Sequence, residues 1–317
     1  MAALEVVRAG MLTLLQDSGR LGVAQLGLSQ GGALDMHAYC WANYLLGNDM
    51  SCSQLEMTLG QASFKSDHDI VCAITGADAA ATIDGIPVKP WQTFCLSKGS
   101  LLAFNYPRKG LRTYLAVKGG FQCKPMMDSV STVVRNKVGG IDGGRALLVG
   151  DKLPMVLPSL KSESHVRYAH KALYVAPRFI PDYGASLTLR VIESYQHTLF
   201  SEHDKARFYS NSYRVSPQCD RMGCRLDGPN LNTAVNGIIS EGIAYGAIQI
   251  PPNGLPIILF NDRQTLGGYP KLGCVARIDM AKLAQAAPGK EVQFLRGNIE
   301  ELQQEWIQFS HYFGLPY

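Results

Sequence analysis

Short β-type runs, each ended by turn residues, recur along this chain and constrain its fold more than any other feature. Residues 70–74 are a continuous apolar run, and Ala81-Thr82-Ile83 followed by Asp84-Gly85 has the form of a hairpin with a type I′ turn. Residues 111–117 are another β-rich run, ending at Gly119-Gly120, and 187–192, 247–250 and 256–260 have the same character. Helical signals are few. Asp35 is placed to cap a helix with Ala38, Trp41, Ala42 and Leu45 on its apolar face, stopped by Gly47-Asn48. Asp279 is expected to open a second helix closed by Pro288-Gly289. Asn298 with Glu301 forms a capping-box-like start, followed by Ile299, Leu302, Trp306, Phe309 and Phe313 at helical spacing, a stripe that suits core or subunit contact. The regular strand–helix alternation of a doubly wound sheet is missing. The expected class is therefore mainly β (α+β): two β-rich lobes with a few covering helices, spanning 1–160 and 173–317, with a polar linker at 161–172.

Composition narrows the function classes. With 46% hydrophobic and 18% charged residues, the chain belongs with folded soluble proteins. A net charge of +4 without any Lys/Arg run gives no footing for nucleic acid. The uncharged stretch 242–261 is long enough to span a bilayer, but Pro251, Pro252, Asn253, Gly254 and Pro256 make it a hairpin. The N-terminus lacks signal-peptide character, and the eight scattered cysteines suit thiols in a reducing cytoplasm. No HxxxH or HExxH spacing suggests a metal.

Residues 262–271 read Asp-Arg-Gln-Thr-Leu-Gly-Gly-Tyr-Pro-Lys. Arg263 and Lys271 bracket a glycine pair that lets backbone N–H groups approach an anion, with Gln264 and Thr265 as neutral donors. The same residues also suit a tight turn with a charged rim. Asp220, Arg221 and Arg225 lie in a second turn-rich stretch, where arginines suit bidentate contact with a carboxylate or a surface pair. Glu241, between Ser240 and Gly242, reads as a general base or as the partner of one of those arginines. Gly27-Leu28-Ser29-Gln30-Gly31 matches GxSxG, but Gly32-Ala33 intervene before the helix, which favours a plain turn over a nucleophile elbow.

Taken together, Leu15-Gln-Asp-Ser-Gly-Arg-Leu-Gly22, Gly32-Ala-Leu-Asp35, Ala42-Asn-Tyr-Leu-Leu-Gly-Asn48, Leu55-Glu-Met-Thr-Leu-Gly60, Thr75-Gly-Ala77, Arg112-Thr-Tyr-Leu-Ala-Val-Lys-Gly-Gly120, Gly143-Gly-Arg145, Asp220-Arg-Met-Gly223, Ser240-Glu-Gly242, Gly246-Ala-Ile-Gln-Ile-Pro251 and Gln264-Thr-Leu-Gly-Gly-Tyr-Pro-Lys271 resemble the allophanate hydrolase subunit 2 (KipA-like) family from about residue 4 to about residue 296. The resemblance implies cyclophilin-like barrels and a KipI-like (B-type) partner. It implies an ATP-dependent complex, completed by a LamB/YcsF-like (A-type) subunit, that opens 5-oxoproline to glutamate. The alternatives it carries are a biotin-dependent carboxyltransferase for a urea- or amide-like substrate, and a non-catalytic regulator binding a KipI-like kinase inhibitor. The implied catalytic pair is Glu241 and Lys271. Arg221 and Arg225 are assigned with Lys271 to a carboxylate or phosphate, Gln249, Gln264 and Thr265 to a lactam, and Gly267, Gly268 and Tyr269 to the surrounding cradle. Two departures stand outside that site: Asp128-Ser-Val-Ser-Thr132 in place of Gly-Ser-Arg-Ser-Thr, and Ser194-Tyr-Gln196 in place of Gly-Pro-Gln.

Overall fold

A computed structural model describes residues 2–156 and 172–315, so residues 161–171 of the expected linker lie outside the described residues. The chain separates into two units. One comprises the residues up to Arg20 with Gly31–Gly184, and the other Leu21–Gln30 with Ala185–Tyr317.

In the first unit the β-rich runs build two sheets. A six-stranded sheet has the order Lys152–Met155, Ala2–Ala9, Ala62–Ser66, Leu101–Ala103, Thr82–Ile83, Ile86–Pro87. A five-stranded sheet runs Leu12–Gln16, Gln54–Thr58, Arg112–Val117, Ile70–Gly76, Gln92–Leu96. Leu4, Val6, Phe64 and Leu102 of the first share one apolar core with Leu15, Leu55, Ile74 and Leu115 of the second. Among the described residues these sheets do not close on themselves. The edge strand Ile86–Pro87 ends in a proline, which has no N–H with which to extend the ladder. The hairpin forms as the sequence predicts, with Asp84 at φ 50° and Gly85 at φ 85° supplying the two left-handed positions of its turn. Helix Met36–Leu46 also forms as expected: Asp35 accepts from the Ala38 N–H at 2.9 Å, and Gly47 takes the left-handed C-cap.

The second unit is a closed barrel of seven strands. Its order is Leu187–Glu193, Lys271–Val275, Ala247–Gln249, Ile257–Leu259, Gly223–Asp227, Tyr213–Cys219 and Glu291–Arg296, which returns to Leu187–Glu193 by parallel pairing. The pairing of Ala247–Gln249 with Ile257–Leu259 is the hairpin expected of the uncharged stretch. Among the described residues no helix is long and apolar enough to cross a membrane. The stretch holding Asp220 and Arg221 is the tip of a strand hairpin: Asp220 Oδ1 accepts from the Met222 and Gly223 N–H groups at 2.8 and 3.1 Å.

Helix Arg277–Ala284 corrects the expected boundaries. It starts two residues before Asp279 and stops well short of Pro288-Gly289. Asp279 does not cap it, because its carboxylate turns to the Arg190 backbone N–H and guanidinium (3.0 Å and 2.9 Å) and to Lys282 (2.9 Å). Helix Ile299–Phe313 starts as predicted, with Asn298 accepting from the Glu301 N–H at 3.1 Å. Its stripe buries Leu302 and Phe313, and the Arg277 guanidinium lies 4.1 Å from the Trp306 ring centre.

Candidate functional site

The ends of several barrel strands and one small ladder bring five of the expected residues together in the second unit. Lys271 opens strand Lys271–Val275 and is the cross-strand partner of Gln249, beside a register shift at Ile248/Gln249. Both side chains are buried. Glu241–Gly242 pairs antiparallel with Leu266–Gly267, setting Glu241 opposite Gly267. The Lys271 ammonium lies 2.6 Å from Glu241 Oε1, with side-chain exposures of 7% and 33%, so the carboxylate is the half of the pair that solvent reaches.

Gly267 completes the arrangement through what it lacks. A Cβ there would stand 2.6 Å from Ile243 Cδ1, 2.9 Å from Gln249 Nε2 and 3.3 Å from Gln264 Nε2. The glycine thus lets Ile243 and two carboxamides approach the backbone more closely than a side chain there would allow. Gln249 Nε2 is fully buried with no hydrogen-bond partner among the described residues. A buried donor left unmade costs about 1–3 kcal/mol, so it calls for an explanation, and a ligand oxygen is one that fits the chemistry. Gly268 is also held close: its carbonyl accepts from the Ile238 N–H at 2.8 Å, and a Cβ would meet the Ile238 carbonyl at 2.9 Å. The Thr265 carbonyl accepts from the Ile243 N–H at 3.1 Å, and Tyr269 is exposed beside it.

The segment left outside the site by sequence is inside it. Tyr195 donates its hydroxyl to Glu241 Oε2. Gln196 donates Nε2 to Glu241 Oε1 at 2.8 Å and accepts at Oε1 from the Lys271 N–H at 2.9 Å. Ser194 donates to the Lys271 carbonyl. One carboxamide therefore fixes both members of the Lys271–Glu241 pair. The available signal was Gln196 itself, since the replaced Gly-Pro-Gln element keeps its glutamine. The Lys271 ammonium and then the Tyr195 hydroxyl hold the Glu241 carboxyl below its ordinary value, and the bond to Glu241 raises the Tyr195 phenol above its own.

The arginines are placed differently from the expectation. Arg221 is buried and grips the chain's own carboxylate, with Nε 2.9 Å from Asp262 Oδ2 and Nη2 3.0 Å from Asp262 Oδ1. That bidentate pairing occupies Nε and Nη2 of the guanidinium. Arg225 is exposed on strand Gly223–Asp227 between the buried Cys224 and Leu226, so it lies on the opposite strand face from those two. Neither arginine is Glu241's partner. Arg263 donates Nε to the Ile243 carbonyl at 3.0 Å and Nη1 to the Phe260 carbonyl at 3.3 Å, and burial lowers its basicity. Among the described residues no carboxylate pairs with it. Ser29 donates to the carbonyls of Asp262 and Arg263 at 3.2 and 2.7 Å, which suits a loop support and not a nucleophile. Among the described residues no group of His, Cys, Asp and Glu is arranged to hold a metal.

The chain matches the family described as carboxyltransferase domain, subdomain A and B, over residues 26–296. It is 37% identical to the C-type subunit of the 5-oxoprolinase of Escherichia coli (strain K12), over 94% of this chain and 92% of that protein. It is 28% identical to the urea amidolyase of Saccharomyces cerevisiae over 92% of this chain, a stretch that makes up 16% of that protein. Among solved structures, TTHA0988 superposes with a TM-score of 0.81 at 31% identity over 93% of this chain and 56% of the other, so this chain spans little more than half of it.

Proposed function

This chain is a member of the carboxyltransferase-domain family, subdomain A and B, and from that membership we propose that it is the C-type subunit of an ATP-dependent 5-oxoprolinase, active only with its A- and B-type partners. The observation that carries the reading from family to site is the buried Gln249 Nε2, without a partner among the described residues, beside the Lys271–Glu241 pair. A lactam offers the matching groups: a carbonyl oxygen to accept from Gln249, an N–H, and in 5-oxoproline a carboxylate.

Each residue then has a defined task. Gln249 and Gln264, which Gly267 lets draw close to the backbone, orient the lactam amide, and Thr265, Gly268 and Tyr269 border it. Glu241, kept ionised by Lys271 and Tyr195, accepts a proton from the attacking water. Lys271 presents positive charge where negative charge builds on the carbonyl oxygen. Arg263, whose charge has no carboxylate beside it among the described residues, takes the substrate carboxylate in place of Arg221, and Arg221 holds the loop through Asp262. ATP, bound in the complete complex, would supply a phosphoryl group to activate the lactam oxygen. Water adds to the carbonyl carbon, the ring C–N bond breaks, the nitrogen takes up a proton as the amine of glutamate, and a further water releases the phosphoryl group as inorganic phosphate.

Purifying the chain with and without both partners and measuring ATP-dependent glutamate release tests the reading. Glutamate release is expected only from the complete set. Full activity from this chain alone, or none from the complete set, overturns it.

A second reading is favoured by the family's own description and by the urea amidolyase relative: carboxyl transfer to a urea- or amide-like substrate. Biotin would supply the carboxyl group there, and the same carboxamides and Lys271 would hold the acceptor. Avidin-sensitive turnover distinguishes it from the first.

A further inference from the structure

Away from the Glu241–Lys271 cluster, the hairpin of strands Tyr213–Cys219 and Gly223–Asp227 sets two thiols against each other. Cys219 and Cys224 are cross-strand partners with their sulfurs 3.1 Å apart. The Asp220 N–H donates to the Gly223 carbonyl at 3.2 Å, closing the turn one residue nearer the tip. The next pair is therefore a non-hydrogen-bonded one, in which Cα atoms stand about 4.5 Å apart. Disulfides bridge Cα separations of about 4.4–6.8 Å with sulfurs about 2.0 Å apart, so the backbone already has the required spacing and the sulfurs need to close by only about 1 Å.

Among the described residues no other cross-strand pair joins two cysteines. Cys72 stands opposite Phe94, Cys95 opposite Val71, and Cys274 opposite Ala247 and Ile192. Cys40 and Cys72 are sealed in the core. Cys224 is also buried, whereas Cys219 is half-exposed, so the pair has one sulfur within reach of a reagent and one immediately behind it.

We propose that Cys219 and Cys224 form a reversible thiol–disulfide site, oxidised by hydrogen peroxide and reduced by external thiols. The Cys219 sulfur attacks one peroxide oxygen, the O–O bond breaks, and a sulfenic acid and one water result. The Cys224 sulfur then displaces the sulfenic hydroxyl, which leaves as a second water carrying the thiol proton, and the S–S bond forms. The two sulfurs together give up two electrons and the peroxide takes them. Reduction by two external thiols returns both protons and both electrons. The bond would close across the turn that carries Arg221, so the oxidised form also fixes the base of the Arg221–Asp262 clamp. This site stands independently of the 5-oxoprolinase reading.

The test uses the full chain treated with hydrogen peroxide, alkylated with N-ethylmaleimide and digested with trypsin. Cleavage after Arg214, Arg221 and Arg225 puts Cys219 and Cys224 on separate peptides, so only a disulfide joins them. The expected product is that joined pair, lighter by two hydrogens, formed in most of the protein and split by dithiothreitol into two alkylatable thiols. In Cys224→Ser, Cys219 is expected to stop at a sulfenic acid that dimedone traps. Wild-type protein that emerges with Cys219 alkylated, over-oxidised to a sulfinic acid or joined to another cysteine overturns the proposal.

Discussion

Arg221–Asp262 and Lys271–Glu241 are ion pairs of similar length in very different surroundings. The first has side-chain exposures of 6% and 9% and is bidentate, whereas the second leaves Glu241 one-third exposed. Removing one member of a buried pair strands the other charge, at a cost of about 3–5 kcal/mol. Arg221→Ala is therefore expected to lose stability on that scale in urea denaturation, and a loss below about 1 kcal/mol, the range of surface pairs, would mark the clamp as dispensable. For Glu241 the expectation concerns pH. Lys271 and Tyr195 depress its folded-state pKa, so the carboxylate survives as pH falls through the ordinary glutamate value of about 4.3. Any stability from the contact is present above the unfolded-state value and is lost only as pH drops through the lower folded one. Tyr195→Phe removes one donor to the carboxylate, so the acidic limb of kcat/KM in the assembled complex should move to higher pH. An unmoved limb would show that Glu241 is not the group that titrates in turnover.

At the scale of elements, the close approach at Gly267 depends on two short strands meeting, Glu241–Gly242 and Leu266–Gly267. Gly267→Ala puts a methyl 2.9 Å from the Gln249 amide and 2.6 Å from Ile243, in a backbone region that alanine tolerates. The variant should fold, as checked by circular dichroism, while turnover in the complex falls on the order of 10²-fold, the scale of a 1 Å misplacement. Wild-type turnover would mean that the close packing at Gly267 has no part in placing the substrate. The contrast between legible and hidden features follows the range of the forces involved. Local signals worked: Asp35 with Gly47, the Asp84-Gly85 turn and the Asn298 cap are each decided within a few residues. The glycine pair at 267–268 could likewise be read as a place of close approach. Pairings across the barrel were hidden. Nothing near Glu241 says that its partner is Lys271 and not Arg221, or that Gln196, 75 residues before Lys271, binds that residue's N–H. Asp279 shows the same limit, because a carboxylate that looks like a cap is drawn instead to Arg190, 89 positions away.

At the scale of the whole molecule, the chain matches nearly all of a protein named as a subunit and only a sixth of a much longer urea amidolyase. A module found in both settings suits a site that contributes groups to a shared reaction, and its own groups agree. It offers a carboxylate, an ammonium, two carboxamides and a guanidinium, which under the proposed reading hold and deprotonate, while activation of the lactam would need a second reactant. Binding to partners and chemistry at Glu241 should therefore be separable. Glu241→Gln keeps the shape of the side chain and an acceptor for Tyr195 but removes the base. In the complete complex it should lower ATP-dependent glutamate release by about 10²–10⁴-fold, the usual contribution of general base catalysis. Co-purification with the proposed B-type partner should stay at wild-type stoichiometry. Retained turnover would remove Glu241 from the chemistry. A complex with no turnover to lose, yet intact in both forms, would make this chain a binding module whose anion-facing loop serves the partner.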